Sequence, residues 1–191
     1  MIVTENNKLA GFVFNQYKVD YNSWPIDWLA NYIEKKQRRS ITETAKAIRQ
    51  KLSLIYSKYG NSNSNLLQIE MLFNESIKQL YQHMKKEEES LFPFIREMML
   101  AKELNRGIKG LAFAKTETVI MLLNEDHKIE SQRLKLIVQL QNSYTAFSTY
   151  CKMHKALFAM FRDFQEDLEL HIYLQSKFLF PKVIAMKYDV T

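Results

Sequence analysis

Two segments, His83-Met-Lys-Lys-Glu87-Glu-Glu-Ser-Leu91-Phe-Pro93 and His171-Ile-Tyr-Leu-Gln175-Ser-Lys-Phe-Leu179-Phe-Pro181, follow one pattern. In each, a histidine is followed four residues on by a carboxylate or its amide, and then by Leu-Phe-Pro. On a helix, side chains four apart lie one above the other, so each copy aims a nitrogen and an oxygen at the same point. That is the geometry of a metal clamp, but the second copy carries Gln175 where the first has the charged Glu87. The chain has four histidines, and three of them, His83, His127 and His171, fall on apolar stripes near the middle of predicted helices. A histidine or glutamate inside an apolar bundle needs a partner, and a metal shared between facing helices supplies one. His83, Glu87, His127 and His171 are therefore the candidate ligands. The competing explanation is a set of neutral imidazoles satisfied by Asp126, Asp167 or backbone groups. It suits any one histidine taken alone. Three at comparable depth, one with a glutamate a turn away and two inside a repeated pattern, favour descent from a metal site.

Other polar residues carry weaker signals. Glu88 and Glu89 read as solvated surface charge, and Glu130, one turn after His127, as an exposed helical acid or a support for that histidine. His154 has apolar neighbours and no carboxylate at ligand spacing, which points to packing. Cys151 reads as a small buried hydrophobe, and Met84, Met99, Met153 and Met160 as core filler. There is no glycine-rich phosphate loop, nucleophile elbow or Cys-x-x-Cys, which argues against hydrolase and nucleotide chemistry.

The elements that must position these groups are helices. With 191 residues, four glycines and three prolines, the chain has few turn signals, and its long Leu, Ile, Lys, Glu and Gln stretches suit an all-α domain with one buried core. A first helix is predicted from Pro25 to about Tyr59, with Trp28, Tyr32, Ile41, Ala45, Ile48, Leu52 and Ile55 on its inner face. A second runs from about Leu66 into the early 100s, with a kink expected at Pro93. A third covers roughly Lys115 to Leu140 and ends at a turn over Asn142-Ser143. A fourth runs from about Tyr144 to Tyr188, with a second kink at Pro181. Short connections between such helices imply an up-down-up-down four-helix bundle over residues 24–191. Residues 1–23 are expected to form a short helical cap, with Phe12, Phe14, Tyr17 and Tyr21 apolar enough to dock on the bundle.

A single cysteine excludes an internal disulfide and fits a reducing compartment, and neither a signal sequence nor an apolar run of membrane-spanning length is evident. The expectation is a soluble cytoplasmic protein with no membrane partner. The net charge of +6 and pI near 9.2 are spread along the helices; the densest cluster, Lys35-Lys36-Gln37-Arg38-Arg39, reads as a solvated face and not as a nucleic-acid site.

Taken together, QHMKKEEESLFPFI, NEDHKIE and DLELHIYLQSKFLFPKV resemble the second-, third- and closing-helix motifs of the hemerythrin-like domain. Within that group they resemble the di-iron proteins of iron-sulfur cluster repair, also described as regulators of cell morphogenesis and nitric oxide signalling. CKMHKALF resembles the opening of the family's fourth helix. GFVFNQYKVDYNS is similar to the end of its small leading domain, with Asn22 and Ser23 in place of the usual cysteine pair. The resemblance spans nearly the whole chain.

The resemblance implies a bundle holding two irons by histidines from all four helices, with two bridging carboxylates. His83, His127 and His171 match family ligands, and Glu87 matches the first bridge. Gln175 stands at the second bridge, Gln37 or Arg38 at the first-helix histidine, and Tyr59 at the histidine closing that helix, so three of the seven ligand positions are altered. Two closely spaced dications need anionic bridges, and one carboxylate favours a single iron over a pair. Arg38, if turned inward, could replace the lost cation and pair with Glu87; Tyr59 or Gln175 could offer a substitute oxygen. The leading expectation is a hemerythrin-like bundle with a degenerate iron site holding at most one metal. It would have nitric oxide or dioxygen as its small ligand or an unknown protein as partner, with a homo-oligomer left open. The alternative is a metal-free interaction or regulatory bundle. No enzymatic activity is assigned.

Overall fold

The computed structural model describes residues 19–59, 64–107, 110–145 and 152–186, which form four helical rods. The first rod runs through α1 (Ile26–Asn31), a π-helical turn π1 (Tyr32–Gln37) and α2 (Arg38–Tyr59). The second runs through α3 (Ser64–Lys86), π2 (Glu87–Leu91) and α4 (Phe92–Glu103). The third is the single helix α5 (Gly110–Thr145). The fourth comprises α6 (Lys152–Leu174), π3 (Gln175–Leu179) and α7 (Phe180–Ala185). Each rod packs on the next, and the first and fourth close the ring, as an up-down-up-down bundle requires. The expected fold is the observed one. Of the leading segment, residues 1–18, with Phe12, Phe14 and Tyr17, lie outside the described residues, as does Cys151. Tyr21 is buried against Trp24, Tyr32 and Phe178.

The rods form because apolar residues recur at helical spacing. Ile41, Ala45, Ile48, Leu52 and Ile55 make one buried stripe along α2, and Leu66, Ile69, Phe73, Ile77, Leu80 and Met84 another along α3. Each isoleucine, leucine, phenylalanine or methionine among them contributes about 1.5–3 kcal/mol when taken from water. Trp28 departs from its expected place: it is 66% exposed, because Ile26, Leu29, Ala30 and Ile33 define the inner face and Trp28 falls outside their arc. The third helix runs past the turn expected at Asn142-Ser143. Ser143 Oγ donates to the Gln139 carbonyl at 3.0 Å, satisfying its hydroxyl inside the helix instead of breaking it. The second rod ends where Asn105 adopts φ 49° and the Arg106 N–H bonds back to the Ala101 carbonyl at 2.9 Å, a left-handed helix stop.

At Pro93 and Pro181, where a kink is expected, each rod passes through a π turn into a new α-helix that carries the proline in its first turn. A π turn precedes each Phe-Pro step, with the Phe92 N–H bonded to the Glu87 carbonyl and the Phe180 N–H to the Gln175 carbonyl, five residues back. Proline has no N–H to donate, and its ring crowds the carbonyl four residues earlier. The wider turn takes up that conflict before the proline is reached.

The apolar interior is divided in two. One cluster gathers Leu29, Ile33, Leu91, Ile95, Phe113, Leu123, Leu174 and Phe180; the other gathers Ile48, Leu52, Phe73, Leu134, Phe161 and Phe164. Between them lies a layer of buried polar side chains from every rod: Gln37, Ser76, His83, Glu87, His127, Glu130, His171 and Gln175. The second cluster centres on Phe73, fully buried and edge-on to Phe161 at 5.0 Å and to Phe164 at 5.4 Å. Phe73→Ala is expected to lower unfolding free energy by about 3–5 kcal/mol in urea titrations. Met71→Ala, two residues away but 63% exposed, is expected to change it by less than about 0.5 kcal/mol.

Candidate metal centre

Every interrupted rod places its π turn at the level of the polar layer. π1 ends on Gln37, π2 begins with Glu87 and π3 begins with Gln175, and all three residues are buried. The extra residue in such a turn rotates the side chains that follow, which is why π turns gather where inward-facing polar groups are needed. The first rod carries no proline near its π turn, so there the wider turn stands with Gln37 alone. Arg38, next in sequence, faces the rim: 26% exposed at its side chain, it pairs with Glu88 and not with Glu87. The expectation that Arg38 fills a vacated metal position is therefore corrected, since the long cation stays near water and Gln37 is the inward residue. Gln37 Nε2 donates to the Tyr32 hydroxyl at 3.4 Å. Tyr59 closes α2, and its side chain lies outside the described residues.

His83, His127 and His171, from the second, third and fourth rods, bring ligand nitrogens within 4.8 Å of one another. His83 Nε2 and His127 Nε2 are 3.3 Å apart. Donors held about 2.0–2.1 Å from one ion lie roughly 3–3.5 Å from each other, so this spacing suits a shared cation. Glu87 Oε1 sits 3.3 Å from His83 Nε2 and 3.5 Å from His171 Nε2, and it accepts a hydrogen bond from the Gln175 amide. All four predicted ligands thus converge. Gln175 stands among them with its nitrogen toward Glu87.

Outer partners fix the ring orientations. His83 Nδ1 lies 3.2 Å from Asp126 Oδ2, which also takes Lys86 Nζ at 2.7 Å; donation from Nδ1 leaves Nε2 turned inward. His127 Nδ1 lies 3.3 Å from Ser176 Oγ, which donates in turn to Asn124 Oδ1 at 3.4 Å. Neither nitrogen of the buried His171 makes a well-formed hydrogen bond, and Gln37 Oε1 and Gln175 Oε1 are likewise buried without one. Orphaned donor atoms in a layer otherwise so fully paired are what a bound cation would satisfy. The residues fit a metal ion.

Of the two places open to Glu130, the solvated helix face is overturned. Glu130 is 8% exposed, accepting from the fully buried Ser76 Oγ and pairing with Arg133. The clue lay in spacing: Ser76 precedes His83 by two turns and Glu130 follows His127 by one, both on inward stripes. Glu88 and Glu89 are exposed, as expected, and His154 is buried far along α6 from His171, outside the cluster.

The electrostatics of the metal-free cluster follow from this packing. Burial opposes charge on His83, but hydrogen bonds and attraction from Asp126 and Glu87 outweigh it and raise its pKa to about 9. Burial likewise works against ionised Glu87, yet His171 and His83 hold it far below the usual carboxylate range. Burial and the neighbouring His83 and His171 push His127 down to about 3. Burial raises Glu130, against Ser76 and Arg133.

A sign for folding stability follows. A raised histidine stabilises the fold below its unfolded value of 6.5 and loses that contribution as pH climbs toward about 9. A depressed histidine destabilises the fold as pH falls from 6.5 toward about 3. Metal-free protein is expected to show its highest urea midpoint near pH 6–7, falling on both sides. His83→Gln should flatten the alkaline limb; an unchanged alkaline limb in that variant would refute the assignment.

Residues 30–183 match the hemerythrin HHE cation binding domain. The iron-sulfur cluster repair protein YtfE of Yersinia pseudotuberculosis is 31% identical over 108 residues, covering 56% of this chain and 43% of that protein. A probable iron-sulfur cluster repair protein of Haemophilus influenzae is 31% identical over 120 residues, covering 63% and 46%. The matched part spans less than half the length of these relatives. No helix among the described residues is long and apolar enough to cross a membrane. The domain match and the three buried histidines suggest iron binding, and the chain belongs to the hemerythrin HHE cation-binding family.

Proposed function

We propose that this protein is a cytoplasmic hemerythrin-type bundle that holds one iron ion through His83, His127, His171 and Glu87 and serves the repair of iron-sulfur clusters under nitric oxide or oxidative stress. The observation that carries the iron site is the convergence of three imidazole nitrogens from three rods beside a buried carboxylate. Two relatives named as iron-sulfur cluster repair proteins support the assignment to repair.

Charge argues for one ion. Among the described residues, Glu87 is the carboxylate within 3.5 Å of the cluster's imidazole nitrogens on the interior side, since Asp126 contacts the outer Nδ1 of His83 and also pairs with Lys86. A second dication would need a further anion where Gln175 offers a neutral amide. Bound iron would supply a redox-active Lewis acid for a small ligand such as nitric oxide or dioxygen. The chain's own groups do the rest. Glu87 offsets charge, Asp126 and Ser176 hold two rings in register, and the flanking apolar clusters exclude bulk water. A metal-free regulatory bundle is the second reading, favoured by one observation: Gln175 already donates to Glu87, so that carboxylate has partners without a metal.

Metal analysis of protein expressed with supplemented iron separates the readings. About one equivalent of iron per chain is expected, lost in His127→Ala. Less than about a tenth of an equivalent, unchanged by that substitution, supports the metal-free bundle, and two irons per chain overturn the single-ion assignment. Gln175→Glu is expected to raise iron affinity about tenfold or more by adding an anionic donor, read as competition against a chelator.

A further inference from the structure

Far from the histidine layer, a groove of ≈410 Å³ opens between the third and fourth rods. Val138 and Gln141 line it from α5, and one face of α6 lines it with Lys155, Phe158, Ala159, Arg162 and Gln165, which follow one another at helical spacing. Gln141 stands fourteen residues beyond His127 on the same helix. At 1.5 Å per residue that is about 21 Å along the axis, so the groove is separate from the candidate metal centre.

The lining combines apolar walls with a cationic rim. Val138, Phe158 and Ala159 are half-buried, and Phe158 packs against the second apolar cluster. Both charged side chains of the lining, Lys155 and Arg162, are cations, and among the described residues no carboxylate joins them. Arg162 Nε lies 4.0 Å from Asp163 Oδ1, the outer limit of an ion pair, which leaves the terminal guanidinium nitrogens for another anion. Gln165 donates from Nε2 to Glu169 Oε1 at 2.7 Å. Gln141 differs: it is 8% exposed, and its amide nitrogen is buried with no hydrogen-bond partner. A buried donor left unpaired costs free energy that an incoming acceptor would recover. The carbonyl oxygens of the two glutamines can accept, but they are neutral, so the two cations decide the sign of the occupant.

We propose that this groove binds a small amphiphilic monoanion, a carboxylate carrying an apolar chain or ring, with its charge held by the cationic rim and the Gln141 amide and its body against Val138, Phe158 and Ala159. The volume falls within the range of about 300–1,000 Å³ typical of small-molecule sites, so it holds the body of such a ligand as well as its head. An inorganic anion would leave the apolar walls uncovered. A neutral apolar molecule would gain nothing from the cations and leave the Gln141 nitrogen unpaired. The proposal does not rest on the iron reading.

Octanoate is the probe. The full chain is titrated by calorimetry at neutral pH and low salt with octanoate, with octanol, which keeps the body and drops the charge, and with acetate, which keeps the charge and drops the body. Octanoate is expected to bind about tenfold tighter than either. Gln141→Leu, which keeps the bulk and removes the donor, should weaken octanoate about tenfold, the scale of one hydrogen bond to a charged group. Arg162→Glu, at an exposed position, should weaken it about threefold or more and leave octanol within about twofold. Ala159→Trp should fill the groove and abolish binding of both, with circular dichroism confirming the fold of each variant. Equal affinity for octanol and octanoate would overturn the proposal, as would octanoate binding within about twofold of wild type in all three variants. So would a wild type with no affinity for octanoate below about 10 mM, including one that sediments only with phosphatidylglycerol vesicles, which would point to a membrane surface instead.

Discussion

An ionised carboxylate in the middle of an apolar bundle sets the terms for the rest of this structure. Removing such a group from water costs several kcal/mol even after relaxation, and that cost has to be offset by partners placed close by. Glu87, 2% exposed, finds His83, His171 and Gln175 around it, and each of these is itself buried. The requirement then spreads outward. His83 needs Asp126, Asp126 takes Lys86, and His127 is kept neutral by burial and by the charge beside it. A polar layer so built divides the core into two apolar clusters, and those clusters keep the layer dry enough for its electrostatics to count.

The backbone bends to the same demand. π turns appear in the first, second and fourth rods at the polar layer, and two of them open on the residues at the fourth position after a repeat histidine. The Leu-Phe-Pro that follows each of these is part of the same device. Its leucine and phenylalanine anchor the apolar cluster below the layer, and its proline follows the five-residue backbone bond. The repeat is thus a way of turning one side chain inward without breaking a helix. That explains how the frame holds around Gln175 as well as around Glu87: it depends on backbone register and apolar anchoring, which a change from carboxylate to amide does not disturb.

Much of the molecule was legible in its residues. Ile41, Ala45, Ile48, Leu52 and Ile55 announce α2 by spacing, and the doubled histidine pattern with His127 picks out all four members of the cluster. The family resemblance is borne out by the domain match over residues 30–183. Local rules reached only so far. Pro93 and Pro181 mark where an α-helix must change, because proline conflicts with it, but nothing in the sequence advertises a π turn as the form of that change. Trp28 lies on the outer side although a tryptophan is usually buried, and of the two places open to Glu130 the wet one is excluded; the arc of the inner face decides the first case and Ser76 on another rod the second. Arg38 shows the same limit, since one residue of rotation decides between the cluster and the rim.

The amino-acid sequence by itself determined an all-helical bundle, the inward stripes and the set of residues able to hold a metal, because periodicity and residue chemistry are local properties. Only the tertiary structure decided that His83, His127 and His171 lie within one ion's reach, that Gln37 and not Arg38 faces the interior, and that Glu130 turns in to Ser76. Those outcomes depend on distances between side chains on different rods. Such distances are set by how the rods pack and where each π turn shifts their register, which no single stretch of chain encodes.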